Sequence, residues 1–166
     1  MIGHRLHYHR DLGEASVGRP GSGLDFVRGR LSELADRLGR DVVQNAVLVA
    51  CELLTNARVH TRGPVGVDLV LDADGGQLTV GVSDPSSLEP FLRPYRPAEP
   101  HGHGMHIVDG LATAWGVSRR PGGKTVWATL AVEDPPSAAR AARAARPASG
   151  GGATRASGGG ATRART

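Results

Sequence analysis

Glu52, Asn56 and His60 stand four residues apart in the run Cys51-Glu52-Leu53-Leu54-Thr55-Asn56-Ala57-Arg58-Val59-His60. A carboxylate can take a proton from a hydroxyl, and a neutral amide oxygen suits a hard cation. If the run is helical, each step of four rises about 6 Å along nearly the same face. Glu52 and Asn56 are then neighbours able to share one ligand or metal, with His60 close by. A Glu and an Asn at this spacing also occur on any solvated helix face. A histidine in a last helical turn can simply satisfy the terminal carbonyls, and that structural role is the one favoured for His60.

Other residues add chemistry at a distance in sequence. Asp84 closes a run of alternating apolar residues, where a carboxylate at a strand end can accept a hydrogen bond from an amine. Its plain alternative is an aspartate ending a strand before a proline turn. Gly102-His103-Gly104-Met105-His106-Ile107-Val108 puts two glycines at a helix start, where backbone N–H groups and the helix dipole favour an anion. The run Gly122-Gly123-Lys124-Thr125-Val126-Trp127 is not a P-loop, because the first glycine of that pattern is missing and a strand follows. His101, His103 and His106 lack carboxylate or cysteine partners, so zinc is not expected there.

The elements that must position these groups follow from periodicity. Arg5 to Arg10 reads as an edge strand with Leu6 and Tyr8 on one side. Ser22 is the expected N-cap of a helix to about Leu38, with Leu24, Val27, Leu31, Leu34 and Leu38 inward and Gly39 as its stop. Asp41 is the expected cap of a second helix, whose apolar face is Val43, Val47, Ala50, Leu54 and Ala57. Period two then takes over from Pro64 to Asp72, Asp74-Gly75-Gly76 makes a turn, and Leu78, Val80 and Val82 complete a hairpin ending at Asp84. Residues 85–101 carry five prolines and read as a long irregular loop of the functional kind. A third helix is predicted from Gly104 to Trp115, and a last hairpin from Val117 to Arg120 and Thr125 to Val132 about Pro121-Gly122-Gly123. Helices on one face of a mixed, mostly antiparallel sheet make an α+β two-layer sandwich.

Taken in this order, the acid–amide helix, the hairpin with Asp84, the proline-rich segment, the Gly-x-Gly helix and the Gly-Gly-Lys-Thr-Val-Trp run resemble the GHKL (Bergerat-type, histidine-kinase-like) ATPase fold. Within that superfamily the chain is most similar to bacterial anti-sigma-factor serine/threonine kinases, over about residues 14–132. The resemblance implies ATP and Mg²⁺ as cofactors. It gives Asn56 the role of metal ligand and Glu52 that of general base toward the hydroxyl to be phosphorylated. Asp84 corresponds to the aspartate that reads the adenine amine, Gly102, Gly104 and Met105 to the phosphate-binding glycine box, and Thr125 to a threonine near the adenine. The family's glycine two residues after the aspartate is Ser86 here, preceded by Pro85. The residues 85–103 correspond to a lid over the nucleotide. The implied partners are an anti-anti-sigma (STAS) protein as phosphoacceptor, a sigma factor, and a second copy in a homodimer. Two other readings are a catalytically weak ATP-binding module that regulates by sequestration, and a fragment of a sensor histidine kinase. The chain shows no phosphoacceptor helix pair for the latter.

Composition bounds these readings. The chain has 166 residues, enough for one domain with a core. It has no apolar run near the ~20 residues that span a bilayer, and its first residues lack a signal-peptide apolar segment. The lone Cys51 excludes an internal disulfide framework and fits a reducing cytoplasm, with a packing role in the helix. The overall charge of +4 is misleading until divided. Residues 1–134 hold fourteen Lys and Arg against sixteen Asp and Glu, a net −2, whereas residues 135–166 hold six arginines and no acid. The folded part, 1–134, is therefore not expected to bind nucleic acid directly. Ala-Ser-Gly-Gly-Gly-Ala-Thr-Arg fills 148–155 and repeats unchanged at 156–163, so residues 135–166 are expected to form a disordered tail.

Overall fold

The computed structural model describes residues 5–13, 21–72, 76–88, 90, 103–132 and 160–164, the last for their backbone alone. β1 (Arg5–Asp11) leads to α1 (Ser22–Glu33), α2 (Ala35–Leu38) and α3 (Arg40–His60). β2 (Gly66–Asp72) and β3 (Gln77–Asp84) follow, then α4 (Gly104–Leu111), β4 (Ala114–Arg120), β5 (Gly123–Ala131) and β6 (Gly160–Ala164). The sheet order is β1-β2-β3-β5-β4-β6. All five pairings are antiparallel. The architecture is the expected two-layer α+β sandwich.

Strand alternation sorts the sheet into two faces. Val67, Leu69 and Leu71 of β2, Leu78, Val80 and Val82 of β3, and Val126, Ala128 and Leu130 of β5 are buried. They pack with Val27 and Leu31 of α1 and with Val49, Ala50, Leu53 and Leu54 of α3 in one core. The intervening residues form the outer face, which mixes Val70 and Trp127 with polar groups. There Thr79 Oγ1 meets Thr129 Oγ1 at 2.9 Å, and Asp68 Oδ1 lies 2.7 Å from His7 Nε2 and 2.9 Å from His9 Nδ1.

Several boundaries differ from the sequence reading. Gly21, at φ 111°, is the N-cap of α1 and Ser22 is already helical; Ser22 makes no capping bond. The single helix predicted from Ser22 to Leu38 breaks at Leu34, whose N–H is shared between the Arg30 and Leu31 carbonyls. The break lets both Leu34 and Leu38 reach the core. Gly39, at φ 76°, stops α2 and also precedes α3, so Asp41 lies in the first turn of α3 and favours its dipole without capping it. The predicted third helix stops at Leu111, four residues before Trp115. Thr113 N–H and Oγ1 both donate to the Thr129 carbonyl, which draws the chain into β4. Trp115 is a buried strand residue whose indole N–H donates to Asp109 Oδ1 at 3.0 Å.

Part of the 135–166 segment also departs from expectation. Gly160–Ala164 pairs with Ala114–Ser118 as β6. On the side away from β5, β4 presents a row of N–H and C=O groups, and 160–164 pairs along it through the backbone. The rest of the expected tail lies outside the described residues.

Candidate functional site

α3 is 21 residues long and therefore spans about 30 Å. Its inner stripe of Ala46, Val49, Ala50, Leu53, Leu54 and Ala57 is fixed by the core. That leaves Glu52 and Asn56 half-buried, one turn apart on the flank. Cys51, expected on the buried face, is half-buried beside them. His60 is exposed in the last turn. The Ala57 carbonyl there is satisfied by the Thr61 N–H at 3.1 Å and the Thr61 hydroxyl at 2.6 Å.

Glycine packing shows where this flank lies over the sheet. A Cβ at Gly23 of α1 would stand 3.1 Å from Leu54 Cδ2 and 3.4 Å from Val67 Cγ2. Val67 pairs with Val82, two residues before the end of β3. The Glu52–Asn56 stretch thus sits over the end of the sheet that carries Asp84. α4 closes on the same place: a Cβ at Gly104 would fall 2.6 Å from Glu52 Oε2, so the start of α4 abuts the carboxylate. The first intrahelical bond of α4 runs from Ile107 N–H to the His103 carbonyl, leaving the Gly104 and Met105 amides ahead of it, directed as an anion requires. The Met105 side chain itself is buried in the core. Gly102 and most of the expected lid lie outside the described residues.

Asp84 is buried, 3% exposed, at the last position of β3. Its Oδ1 accepts from Lys124 Nζ at 2.8 Å and from the Ser86 N–H at 2.8 Å. The second bond is an Asx turn, so the Pro85-Ser86 corner that replaces the expected glycine is tied back to the carboxylate itself. Lys124 is 4% exposed and also donates to the Ser86 carbonyl at 3.4 Å. Asp84 and Lys124 are direct cross-strand partners. Both are in phase with the apolar residues that face the helices, Asp84 with Val80 and Val82, Lys124 with Val126 and Ala128. Gly123 makes this approach possible, since a Cβ there would come within 2.9 Å of Pro85 Cα and collide with the Asp84 carbonyl.

Thr125 is on the other face. Its Oγ1 lies 2.8 Å from Ser83 Oγ, which also accepts from Arg120, and its methyl is 3.3 Å from where a Cβ at Gly81 would be. The structure therefore brings Glu52, Asn56, Gly104 and Asp84 to one end of the helix–sheet interface and leaves Thr125 outside it. The residue missed in the sequence is Lys124. Parity could have found it, because counting back two at a time from Leu130 and Ala128 turns 124 inward and 125 outward.

Histidine kinase-like ATPase domains match residues 22–130, which is 109 of the 166 residues. The chain belongs to that family, a class of ATP-binding regulatory modules. No curated protein matches it significantly. Among the described residues no helix is long and apolar enough to cross a membrane.

The residues present fit the nucleotide that the family binds. Glu52 and Asn56 offer oxygen ligands of the kind Mg²⁺ takes alongside phosphate oxygens and water. The start of α4, without a Cβ at Gly104, offers amides to an anion. The end of β3 and the start of β5 offer a polar pair in an otherwise apolar interface.

Proposed function

We propose that this protein is an ATP-dependent serine/threonine kinase of the anti-sigma-factor type, acting on a small anti-anti-sigma (STAS) partner. The observation that carries the reading is the meeting of Glu52 with the start of α4: a base candidate, a metal-ligand candidate one turn on, and anion-binding amides, all at one end of the interface. Bound Mg·ATP supplies the transferable γ-phosphoryl group. Asn56 offers its side-chain oxygen to the metal, and the Gly104 and Met105 amides hold phosphate oxygens. Glu52 orients the partner's hydroxyl and accepts its proton. In such a transfer, positioning and charge neutralisation carry most of the rate. The unphosphorylated partner competes with a sigma factor for the kinase, which acts as a homodimer in the cytoplasm.

Calorimetric titration with ATP, with and without Mg²⁺, tests the pocket. Saturable, Mg²⁺-dependent binding that is lost in Asn56→Ala is the expected result. Phosphate transfer to a serine-bearing STAS protein tests the chemistry. Glu52→Ala is expected to keep nucleotide binding and slow transfer by about 10²–10⁴-fold, the usual contribution of a general base. Unchanged transfer would exclude Glu52 from that role.

A second reading is favoured by one observation, the engagement of Asp84 by Lys124. A pocket whose base-reading carboxylate is already paired could hold nucleotide without efficient turnover and regulate by sequestering its partner. Binding without transfer to any serine-bearing partner would select it.

A further inference from the structure

β4 is bonded by β5 on one side and by residues 160–164 on the other. The second register sets Ser118 against Gly160, Val117 against Ala161, Gly116 against Thr162, Trp115 against Arg163 and Ala114 against Ala164. The pairing sequence, Gly-Ala-Thr-Arg-Ala, occurs twice in the chain: residues 152–156 are identical to residues 160–164, one eight-residue repeat earlier. A sheet edge holds an added strand through backbone N–H and C=O groups, and side-chain order sets the register. Two identical segments therefore offer β4 the same ligand. The repeat is even in length, so exchanging one copy for the other returns each residue type to the same rung and the same face of the sheet.

Both copies can reach the edge. β5 and β6 run antiparallel to β4 and hence parallel to each other, so the chain leaving Ala131 must return to the rung of Ser118 before it pairs. That return is about 20 Å along the strands and about 10 Å across them. Residues 132–151, which lead to the first copy, span on the order of 60 Å when extended, and residues 132–159, which lead to the second, span more. The probability of closing the two loops differs by less than about twofold, in favour of the shorter. Neither tether length nor local sequence singles out one copy.

We propose that the side of β4 away from β5 is a strand-addition site served interchangeably by residues 152–156 and 160–164 of the same chain. Each copy adds its own statistical weight to the covered state, so the edge is closed again when either one leaves. A flexible tether of this kind gives an effective concentration of order millimolar, which favours the chain's own copies over the tail of a second molecule in dilute solution. An uncovered strand edge is a template for pairing with other chains, and the duplication lowers the time that β4 spends in that state.

Hydrogen–deuterium exchange of the β4 amides in the full chain tests this, with the β5 amides as internal reference. Proline removes a backbone donor, and two in succession ensure that one falls on a residue bonded to β4, because bonded and outward residues alternate. Ala161→Pro with Thr162→Pro blocks the second copy, and Ala153→Pro with Thr154→Pro blocks the first. Either pair alone is expected to speed exchange of the β4 amides that face β6 by no more than about two- to threefold, since about half of the weight of the covered state remains. All four substitutions together are expected to speed it by at least about tenfold, with β5 unchanged. If the 161–162 pair alone gave the full increase, the copies would not be interchangeable and 160–164 would be the sole strand. No increase with all four would overturn the site itself. Protection that falls on dilution of the wild-type protein would assign the added strand to a second copy of the chain instead.

Discussion

On successive residues of the same two strands the sheet carries two polar pairs of opposite character. Ser83 and Thr125 face outward and share a 2.8 Å bond between hydroxyls; Asp84 and Lys124 face the helices and form a 2.8 Å ion pair. The sequence separation within each pair is nearly the same, and the pairs are adjacent rungs of one ladder. Their energetic weights differ because their surroundings do. In the outer pair Ser83 is itself fully buried, but Thr125 is half-buried and the exposed Arg120 also donates to Ser83, so the Ser83 hydroxyl keeps a partner when Thr125 is lost. The inner pair stands at the end of an apolar interface, where each charge has the other as its main compensation. Parity along a strand, more than residue type, decides which pair belongs to the site.

The comparison can be broken most directly by removing half of the inner pair. Asp84→Ala leaves Lys124 charged and buried, and chemical denaturation should show a loss of about 3–5 kcal/mol. Replacing both partners, as Asp84→Asn with Lys124→Met, should recover most of that loss, since the desolvated charges go together. A double variant as unstable as the single one would mean that packing at the β3–β5 corner, not charge, sets the cost. The outer pair should respond far less. Ser83→Ala or Thr125→Val is expected to cost about 1 kcal/mol, the usual net worth of one hydrogen bond, and to leave nucleotide affinity unchanged. A Thr125→Val variant that lost nucleotide binding would return Thr125 to the pocket. The smallest effect should come from deleting residues 135–166, which removes β6 from the open side of β4. β6 pairs with one strand only and lies at the margin of the sheet, so a stability change below about 1 kcal/mol is expected in the same denaturation experiment.

Much of this arrangement was legible in the residues. The stripe through Val43, Val47, Ala50, Leu54 and Ala57 gave α3, and so the flank position of Glu52 and Asn56, because a 3.6-residue period admits one inward face. Val67, Leu69 and Leu71 against Leu78, Val80 and Val82 gave the β2–β3 hairpin and put Asp84 at its end. Three features run against the local reading. The break at Leu34 depends on where the following α3 must start, a tertiary demand that overrides local helix preference. Trp115 continues a helical apolar period from Val108 and Leu111, yet its strand state is set by pairing with β5, which local pattern does not contain. The inward lysine at 124 follows from strand parity with Val126 and Ala128, whereas the resemblance names Thr125 beside it, which parity turns outward.

The contact between Gly104 and Glu52 links two positions that are distant in sequence. With a hydrogen at 104 the carboxylate and the helix start can coexist; with a methyl they cannot, unless the acid withdraws. The two sites should therefore not vary independently. Only the tip of the Glu52 side chain stands in the way, so alanine at 104 should be accommodated by rotation of the carboxylate away from the helix start, or by aspartate at 52. A pairwise mutational map would record this as epistasis in function more than in stability, since what alanine at 104 displaces is the position of the Glu52 carboxylate.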